Sequence, residues 1–366
     1  MRLLYLTDRL SDLGGADQHL AQVVADIRRA GHRVSVAFGR DSGGMAGIRD
    51  LDLIQIKGLA SRVDSSSGLA DLARALDRAD VVHVQNVMNP TAIEMAVESG
   101  RAVVTVQDHR VFCPGPGKTM PGGSVCVTAM DESVCSTCLG DESYLRSTMD
   151  LTRRRRDAIE GARLVVLSRY MAEELAAIGL EGAWVIPPWI EAAVRRSEGG
   201  SKLIMGGRLV AHKAVQDGWL AWCEAGRPLP LVVAGSGPLE SELHGARKLG
   251  WLGRKALLAE LRSSRALLFP ARWQEPFGIL GLEALAQGTP VVVAKCGGTP
   301  DWSSRGCVTV PPGDVRAMAA AIEDLASEPD RAMALGRAGQ AAVRDRFARE
   351  PIVRRLRDLY EEVAAT

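Results

Sequence analysis

Short β-branched runs, each followed by a glycine-bearing loop or a helical pattern, recur along this chain in two successive series. The first opens with Leu3–Leu6, passes Gly14-Gly15, and enters the helix spacing Leu20, Val23, Val24, Ile27, which Gly31 stops. Arg33–Phe38, Val81–Val84, Ala102–Val106, Leu164–Leu167 and Trp184–Ile186 continue it, with helical patterns such as Leu69–Ala79 between them. Runs this short and this apolar, alternating with helices, predict a mostly parallel sheet covered on both faces. A second series begins at Leu203–Met205 and continues through Leu231–Ala234, Ala266–Phe269 and Val291–Val293. Pro187-Pro188 and the polar stretch Arg195–Ser201 separate the two as a linker. The pattern predicts two doubly wound α/β domains, residues 1–190 and 191–347, not one large sheet. The spacing Ile352, Leu356, Leu359, Val363 predicts a last helix within 348–366 that packs back on the first domain. A length of 366 residues agrees with about two domains.

Charge excludes one class of partner. With 45 basic and 44 acidic residues the net charge is +1, so nothing draws the chain as a whole to nucleic acid, and an anionic ligand must be held by a local patch. No apolar run reaches the roughly 18 residues of a membrane span. The first residues, Met1 to Asp8, lack the apolar region and cleavage site of a signal peptide, so the expected compartment is the cytoplasm. A reducing compartment argues against disulfides among most of the seven cysteines.

The chemistry concentrates between Gly206 and Gly298. A bound nucleoside diphosphate needs cations and N–H donors for its phosphates, a carboxylate for its ribose, and backbone able to come close. Gly206-Gly207-Arg208 ends a strand and Lys213 follows, both cations just past a carboxyl end, where open α/β sheets bind ligands. Arginine brings a forked donor and lysine a point charge, and both suit a diphosphate. Gly235-Ser236-Gly237 follows the next strand and could let backbone approach a ligand. Glu275-Pro276-Phe277-Gly278-Ile279-Leu280-Gly281-Leu282-Glu283 then places two carboxylates around a loop-to-helix junction whose first N–H groups suit an anion. Singly, each signal has a bland origin: surface charge, helix-end carboxylate, simple turn. Their order, each after a predicted strand, favours a site.

These residues resemble the retaining GT-B glycosyltransferases of family 4, the glycosyl transferases group 1, over nearly the whole chain. Arg208 and Lys213 match that family's phosphate-binding cations. Glu275 and Glu283 match its E-x7-E signature in a Glu-Pro-Phe-Gly setting. Gly297-Gly298 with Pro300-Asp301, Gly14-Gly15-Ala16-Asp17, and Ser168-Arg169-Tyr170-Met171 resemble its later glycine loop, its first glycine loop and its serine-bearing segment. The resemblance implies a GT-B fold, two Rossmann-like domains facing across a cleft, with the acceptor on the first and a nucleotide-diphosphate sugar on the second. It implies sugar transfer with retention, Arg208, Lys213 and Glu275 acting in catalysis. Donor contacts would come from Gly14, Gly15, Gly207, Gly235, Gly237, Phe277, Gly278, Ile279, Leu280 and Glu283, with the base near Leu249–Gly253. In a front-face course the leaving diphosphate helps take the acceptor proton, and the cations stabilise its charge. None of the matched motifs is an Asp-x-Asp metal motif, so no catalytic metal is expected. Where the family commonly has His-Asp, this chain has Gln107-Asp108-His109, so Gln107 or His109 would meet the donor sugar or the acceptor. The same fold hosts sugar-nucleotide epimerases and phosphorylases, and a non-catalytic nucleotide-sugar-binding subunit would keep the same binding residues.

Three features stand outside that frame. Cys113, Cys126, Cys135 and Cys138 lie in a Cys-rich insertion over about 108–142, which reads either as a structural zinc site or as ordinary thiols or a disulfide pair. Arg153–Arg156, at the start of a helical pattern, reads as a solvated face or as a contact for anionic lipid or acceptor at a membrane surface. His83 reads as a core or rim histidine, and His212 as incidental.

Overall fold

A computed structural model describes residues 1–193 and 200–365. Most of the expected linker Arg195–Ser201 therefore lies outside the described residues. The chain divides into two compact units, one made of Met1–Gly117, Val127–Pro187 and the residues from Glu350 on, the other of Lys118–Cys126 and Pro188–Arg349.

The first unit is built on seven strands: β1 (Arg2–Leu10), β2 (Arg33–Asp41), β3 (Asp52–Gln55), β4 (Val81–Gln85), β5 (Ala102–Val106), β6 (Arg163–Val166) and β7 (Trp184–Val185). They run parallel in the order β3-β2-β1-β4-β5-β6-β7. β1 outruns its apolar stretch Leu3–Leu6 because β2 keeps pairing with it to Leu10↔Asp41. The helix Gly15–Arg29 buries Leu20, Val23, Val24 and Ile27 and ends just before Gly31, whose φ of +91° suits glycine. The helical stretch expected over Leu69–Ala79 is shorter, Leu72–Leu76, with turns on either side.

The second unit has six parallel strands: β8 (Leu203–Arg208), β9 (Leu231–Ser236), β10 (Arg247–Lys248), β11 (Ala266–Phe269), β12 (Val291–Ala294) and β13 (Cys307–Val310), in the order β10-β9-β8-β11-β12-β13. In both sheets the chain works outward to one edge and then restarts beside its first strand. That puts switch points between β1 and β4 and between β8 and β11, where the loops at the carboxyl ends splay apart.

Two segments join a unit from a distance in sequence. The helix Arg349–Ala364 adds Tyr360 to the first unit's core, its hydroxyl 2.8 Å from that of Tyr5 and 2.5 Å from His83 Nδ1. His83 Nε2 in turn lies 2.6 Å from the Thr105 hydroxyl, so the histidine is a core residue of β4. Lys118–Cys126, closed by an antiparallel bridge between Thr119 and Val125, is grouped with the second unit.

The arginine run ends a helix instead of starting one. Asp141 caps the helix Glu142–Ala158 by accepting from Tyr144 N at 2.6 Å, which sets its start well before Arg153. Arg155 is buried and donates to the carbonyls of Met88 and Arg62 at 2.9 and 2.8 Å. Arg154 reaches Asp64 and Glu94 at 2.8 and 3.0 Å. Two of the four guanidiniums therefore brace their own unit instead of forming a solvated face. No helix among the described residues is long and apolar enough to cross a membrane.

Candidate active site

The switch point of the second sheet gathers the predicted catalytic residues. β8 ends at exposed Arg208; a single 3-10 turn, Ala211–Lys213, follows, and Ala214 at φ 50° turns the chain into the helix Val215–Glu224. Across the switch point β11 ends at Phe269 and hands over to the loop that carries Glu275. Lys213 Nζ lies 2.5 Å from Glu275 Oε1 and 4.5 Å from the centroid of the Trp273 ring. The Glu275 side chain is 5% exposed and that of Lys213 24%. Trp273 is fixed by its backbone N–H, which donates to the His212 carbonyl at 3.1 Å, and by an edge-on contact with the His212 ring at 5.2 Å. Burial, followed by the charges of Lys213 and Arg208, pushes the His212 imidazole down to about 4. Both cations thus act on one locale, and His212 is neutral there at physiological pH.

The Gly297-Gly298 loop follows β12 and lies on the backbone of Glu275. Gly298 N donates to the Glu275 carbonyl at 2.7 Å and Gly297 N to Gln274 Oε1 at 2.9 Å. Gly297 has φ +51°, and a Cβ there would stand 2.4 Å from the Glu275 oxygen, so only glycine fits. Beneath, the buried Cys296 thiol donates to the Ala271 carbonyl at 3.4 Å; burial, with the Glu275 charge adding, pushes it up to about 12, so it stays protonated.

Gly278, in the left-handed region at φ +87°, opens the helix Ile279–Ala286. The first-turn N–H groups of half-buried Ile279 and Leu280 have no acceptor within the helix, as at any helix start. Gly281 is explained by packing: a Cβ would stand 2.1 Å from Trp302, whose indole N–H donates to the Phe277 carbonyl at 2.6 Å. The Phe277 ring is itself buried against Phe347. Glu283, one turn into the helix, is 5% exposed and 3.0 Å from the Arg254 guanidinium, which is 36% exposed. The contact is off-axis, so Glu283 Oε1 has an ion partner but no hydrogen bond. Burial raises this carboxyl above its ordinary range, and Arg254 partly opposes the rise. Arg254 opens the helix Arg254–Arg262 directly after the Leu249–Gly253 stretch. No sequence motif singles it out.

The glycines divide. A Cβ on Gly207, at φ +102°, would meet nothing within 4 Å, so that face is open. A Cβ on Gly235 would stand 1.9 Å from the Gly207 oxygen, and one on Gly237 2.4 Å from that of Leu209. Their small size lets the end of β9 lie against the end of β8. In the first unit Gly14 is extended, a Cβ there would meet nothing within 4 Å, and Gly15 begins the following helix.

Gln107, Asp108 and His109 diverge. The Gln107 amide nitrogen lies 2.8 Å from His19 Nδ1. Asp108 closes a turn by accepting from Arg110 N at 2.9 Å. His109 Nε2 lies 3.1 Å from the Tyr170 hydroxyl, and its ring meets Phe112 edge-on. Ser168 caps the helix Arg169–Ala176 by accepting from Met171 N at 3.2 Å. Among the cysteines, the sulfurs of Cys113 and Cys138 both approach Gly115, each 3.9 Å from where its Cβ would stand. Among the described residues no group of three or more His, Cys, Asp or Glu side chains is placed to hold a metal ion.

Residues 200–328 match the family model described as Glycosyl transferases group 1. Glycogen synthase of Mycobacterium tuberculosis (strain ATCC 25618 / H37Rv) is 32% identical over 174 residues, 43% of this chain and 42% of that protein. The D-rhamnosyltransferase WbpZ of Pseudomonas aeruginosa is 34% identical over 135 residues, 33% of this chain and 35% of that protein. The chain thus spans well under half the length of the curated relatives it matches. Among solved structures, Anabaena Alr3699/HepE in complex with UDP and glucose is similar in fold, with a TM-score of 0.74 at 15% identity, covering 99% of this chain and 100% of that one. Two parallel-sheet α/β units of seven and six strands, together with such neighbours, make the fold GT-B.

Proposed function

We propose that this chain is a retaining glycosyltransferase of family 4 that moves a sugar from a nucleoside-diphosphate sugar to an acceptor hydroxyl. The observation that carries the reading is the Lys213–Glu275 pair at the β8/β11 switch point, with Arg208 beside it and the Gly297-Gly298 loop on Glu275. Cations at that position suit the charge that gathers on a departing diphosphate, and a helix start adds N–H donors. The glycosyl transferases group 1 match over residues 200–328 covers the same residues. The solved complex of Alr3699/HepE with UDP and glucose supports a donor of this class.

In this reading Arg208, Lys213 and the N–H groups of Ile279 and Leu280 hold the diphosphate. Glu283 accepts from the ribose hydroxyls, for which its unbonded Oε1 is suited. Glu275 faces the transferred sugar and keeps Lys213 in place until the phosphate arrives. The acceptor oxygen bonds to the anomeric carbon on the face the diphosphate leaves, and its proton passes to the departing phosphate oxygen. The anomeric configuration is thereby retained. No metal takes part, and EDTA is expected to leave the rate unchanged.

Thermal shift with UDP, GDP, ADP and TDP and their common sugars tests the donor site. A rise in melting temperature with one base, lost in Arg208→Ala and Glu283→Ala, is expected and names the donor. No shift with any of them, with or without acceptor candidates, would overturn the reading. NMR of the product's anomeric proton tests retention.

A further inference from the structure

Lys213 and Glu275 come from two separate segments, the one after β8 and the one after β11. Their own attraction is one tie between those segments, and Trp273 adds another through the His212 carbonyl and the Lys213 ammonium. A third tie leaves both catalytic side chains untouched. Arg272 forms a forked pair with Asp217, Nε at 2.6 Å from Oδ2 and Nη2 at 3.0 Å from Oδ1. Asp217 stands in the first turn of the helix Val215–Glu224, which begins directly after Lys213 and Ala214. Next to it, a Cβ on Gly218 would stand 3.1 Å from Pro270, so the helix also closes on the start of the β11 loop. A forked guanidinium–carboxylate pair fixes angle as well as distance. It persists when a phosphate draws Lys213 away from Glu275.

The pair is covered. The Asp217 side chain is 14% exposed, so water weakens the attraction little. Two glycines come close to the arginine. A Cβ on Gly313, φ +79°, would stand 3.2 Å from Arg272 Cζ, and one on Gly123, φ +92°, 2.9 Å from Cδ. Gly313 lies just before the helix Val315–Ser327. Gly123 is in the turn of the hairpin Lys118–Cys126, where its N–H donates to the Met120 carbonyl at 2.9 Å and that of Cys126 to Lys118 at 2.8 Å. The hairpin is grouped with the second unit, although the chain up to Gly117 and from Val127 is grouped with the first. A Cβ on the adjoining Gly122, φ +90°, would meet nothing within 4 Å, so the seat on Arg272 is particular to Gly123.

We propose that Arg272 is a positioning residue: paired with Asp217 and covered by the hairpin Lys118–Cys126, it holds the Lys213 and Glu275 segments in register for sugar transfer. The role in transfer rests on the glycosyltransferase reading; the seating of the hairpin on Arg272 does not.

The test uses the full chain with Arg272→Met, Gly123→Ala and, as a control with positive φ and no contact, Gly122→Ala; melting curves check that each folds. Hydrogen exchange reads the hairpin at the Gly123 and Cys126 amides. NMR titration reads His212, which burial and then the charges of Lys213 and Arg208 hold down at about 4. Release of nucleotide from the UDP, GDP, ADP and TDP sugars reads turnover. Arg272→Met and Gly123→Ala are expected to speed hairpin exchange at least about tenfold and to move the His212 midpoint upward. In both, kcat should fall at least about tenfold with KM for the donor within about threefold of wild type, because a misplaced cation is felt most where charge develops. Gly122→Ala should keep the wild-type values. Wild-type kcat in a folded Arg272→Met protein, or an unmoved His212 midpoint, overturns the proposal and leaves the arginine a brace of the fold. Equal effects of Gly122→Ala and Gly123→Ala overturn it too, because the seat on Arg272 would then not matter. Hairpin exchange and a His212 midpoint that depend on Arg272, in a protein that turns over none of the donors, count against the transferase reading and leave Arg272 as the residue that fixes the two segments.

Discussion

Lys213 places its ammonium 2.5 Å from a Glu275 carboxylate that is 5% exposed, while the lysine itself is 24% exposed. Removing the more exposed partner leaves the buried one without compensation, which costs more than the pair contributes. Lys213→Met should lower stability by about 1–3 kcal/mol in urea titrations, the upper part of the range being softened by the lysine's access to water. Transfer should fall by roughly a hundredfold or more, as when a charge-stabilising group is lost. Adding Glu275→Gln should restore stability without restoring rate, a result that a double-mutant cycle reads directly. Trp273→Leu, which removes only the aromatic face under the ammonium, should cost about 0.5–1 kcal/mol.

Glu283 gives a pH signature. Its folded carboxyl titrates above the ordinary range because burial disfavours the charge. Between the ordinary value of about 4.3 and the raised one, the native state holds a proton that the unfolded chain has released. Stability therefore falls as pH rises through that window and levels off above it. Glu283→Gln should raise the melting temperature at neutral pH, and the gain should vanish below the ordinary carboxyl range. Arg254→Met should widen the window upward and weaken nucleotide binding, read as an acid limb of KM moved to higher pH.

Two glycines separate fold from ligand contact. Gly297→Ala forces a left-handed residue into the Glu275 backbone and should cost more than about 2 kcal/mol in urea titrations. Gly14→Ala meets nothing and has extended backbone, so its stability should stay within about 0.5 kcal/mol. A fall in kcat/KM of at least about tenfold in that well-folded variant is the expected mark of a loop that faces the donor.

Tyr360→Phe removes the hydroxyl that serves both His83 Nδ1 and Tyr5. Two buried groups lose a partner, so unfolding free energy should drop by about 2 kcal/mol or more. His83 and His19 are held neutral by burial, at about 3 and about 4. Below the ordinary histidine value of about 6.5 the unfolded chain takes up protons that the native state refuses, so stability should fall with acidification. A stability–pH curve compared with that of His83→Gln measures one of the two contributions.

The parallel strands and the neighbourhood of Lys213 and Glu275 were legible because both announce themselves locally. Val291–Val293 and Ala266–Phe269 are continuous apolar runs, and the cations and carboxylates follow strands at the ends where ligands gather. Edge strands left no such mark: Arg247–Lys248 is exposed, and Cys307–Val310 is half-buried. Gly235 and Gly237 are crowded by the backbone of Gly207 and Leu209, a packing that sequence spacing does not show. The arginine run was placed at the wrong end of its helix because the cap, Asp141, precedes the apolar positions that mark the period. Arg272 and Arg254 carry no motif; their meaning comes from neighbours that only the fold brings together.

Tyr360 has a consequence for how the protein is made. Tyr5 and His83 leave the ribosome before the second unit, whereas the hydroxyl that links them comes only after it. A nascent first unit therefore waits, its core open along one seam, while the entire second unit is translated. A fragment ending near Pro187 should behave like that waiting intermediate, a client for chaperones, until the segment Arg349–Ala364 is supplied in trans.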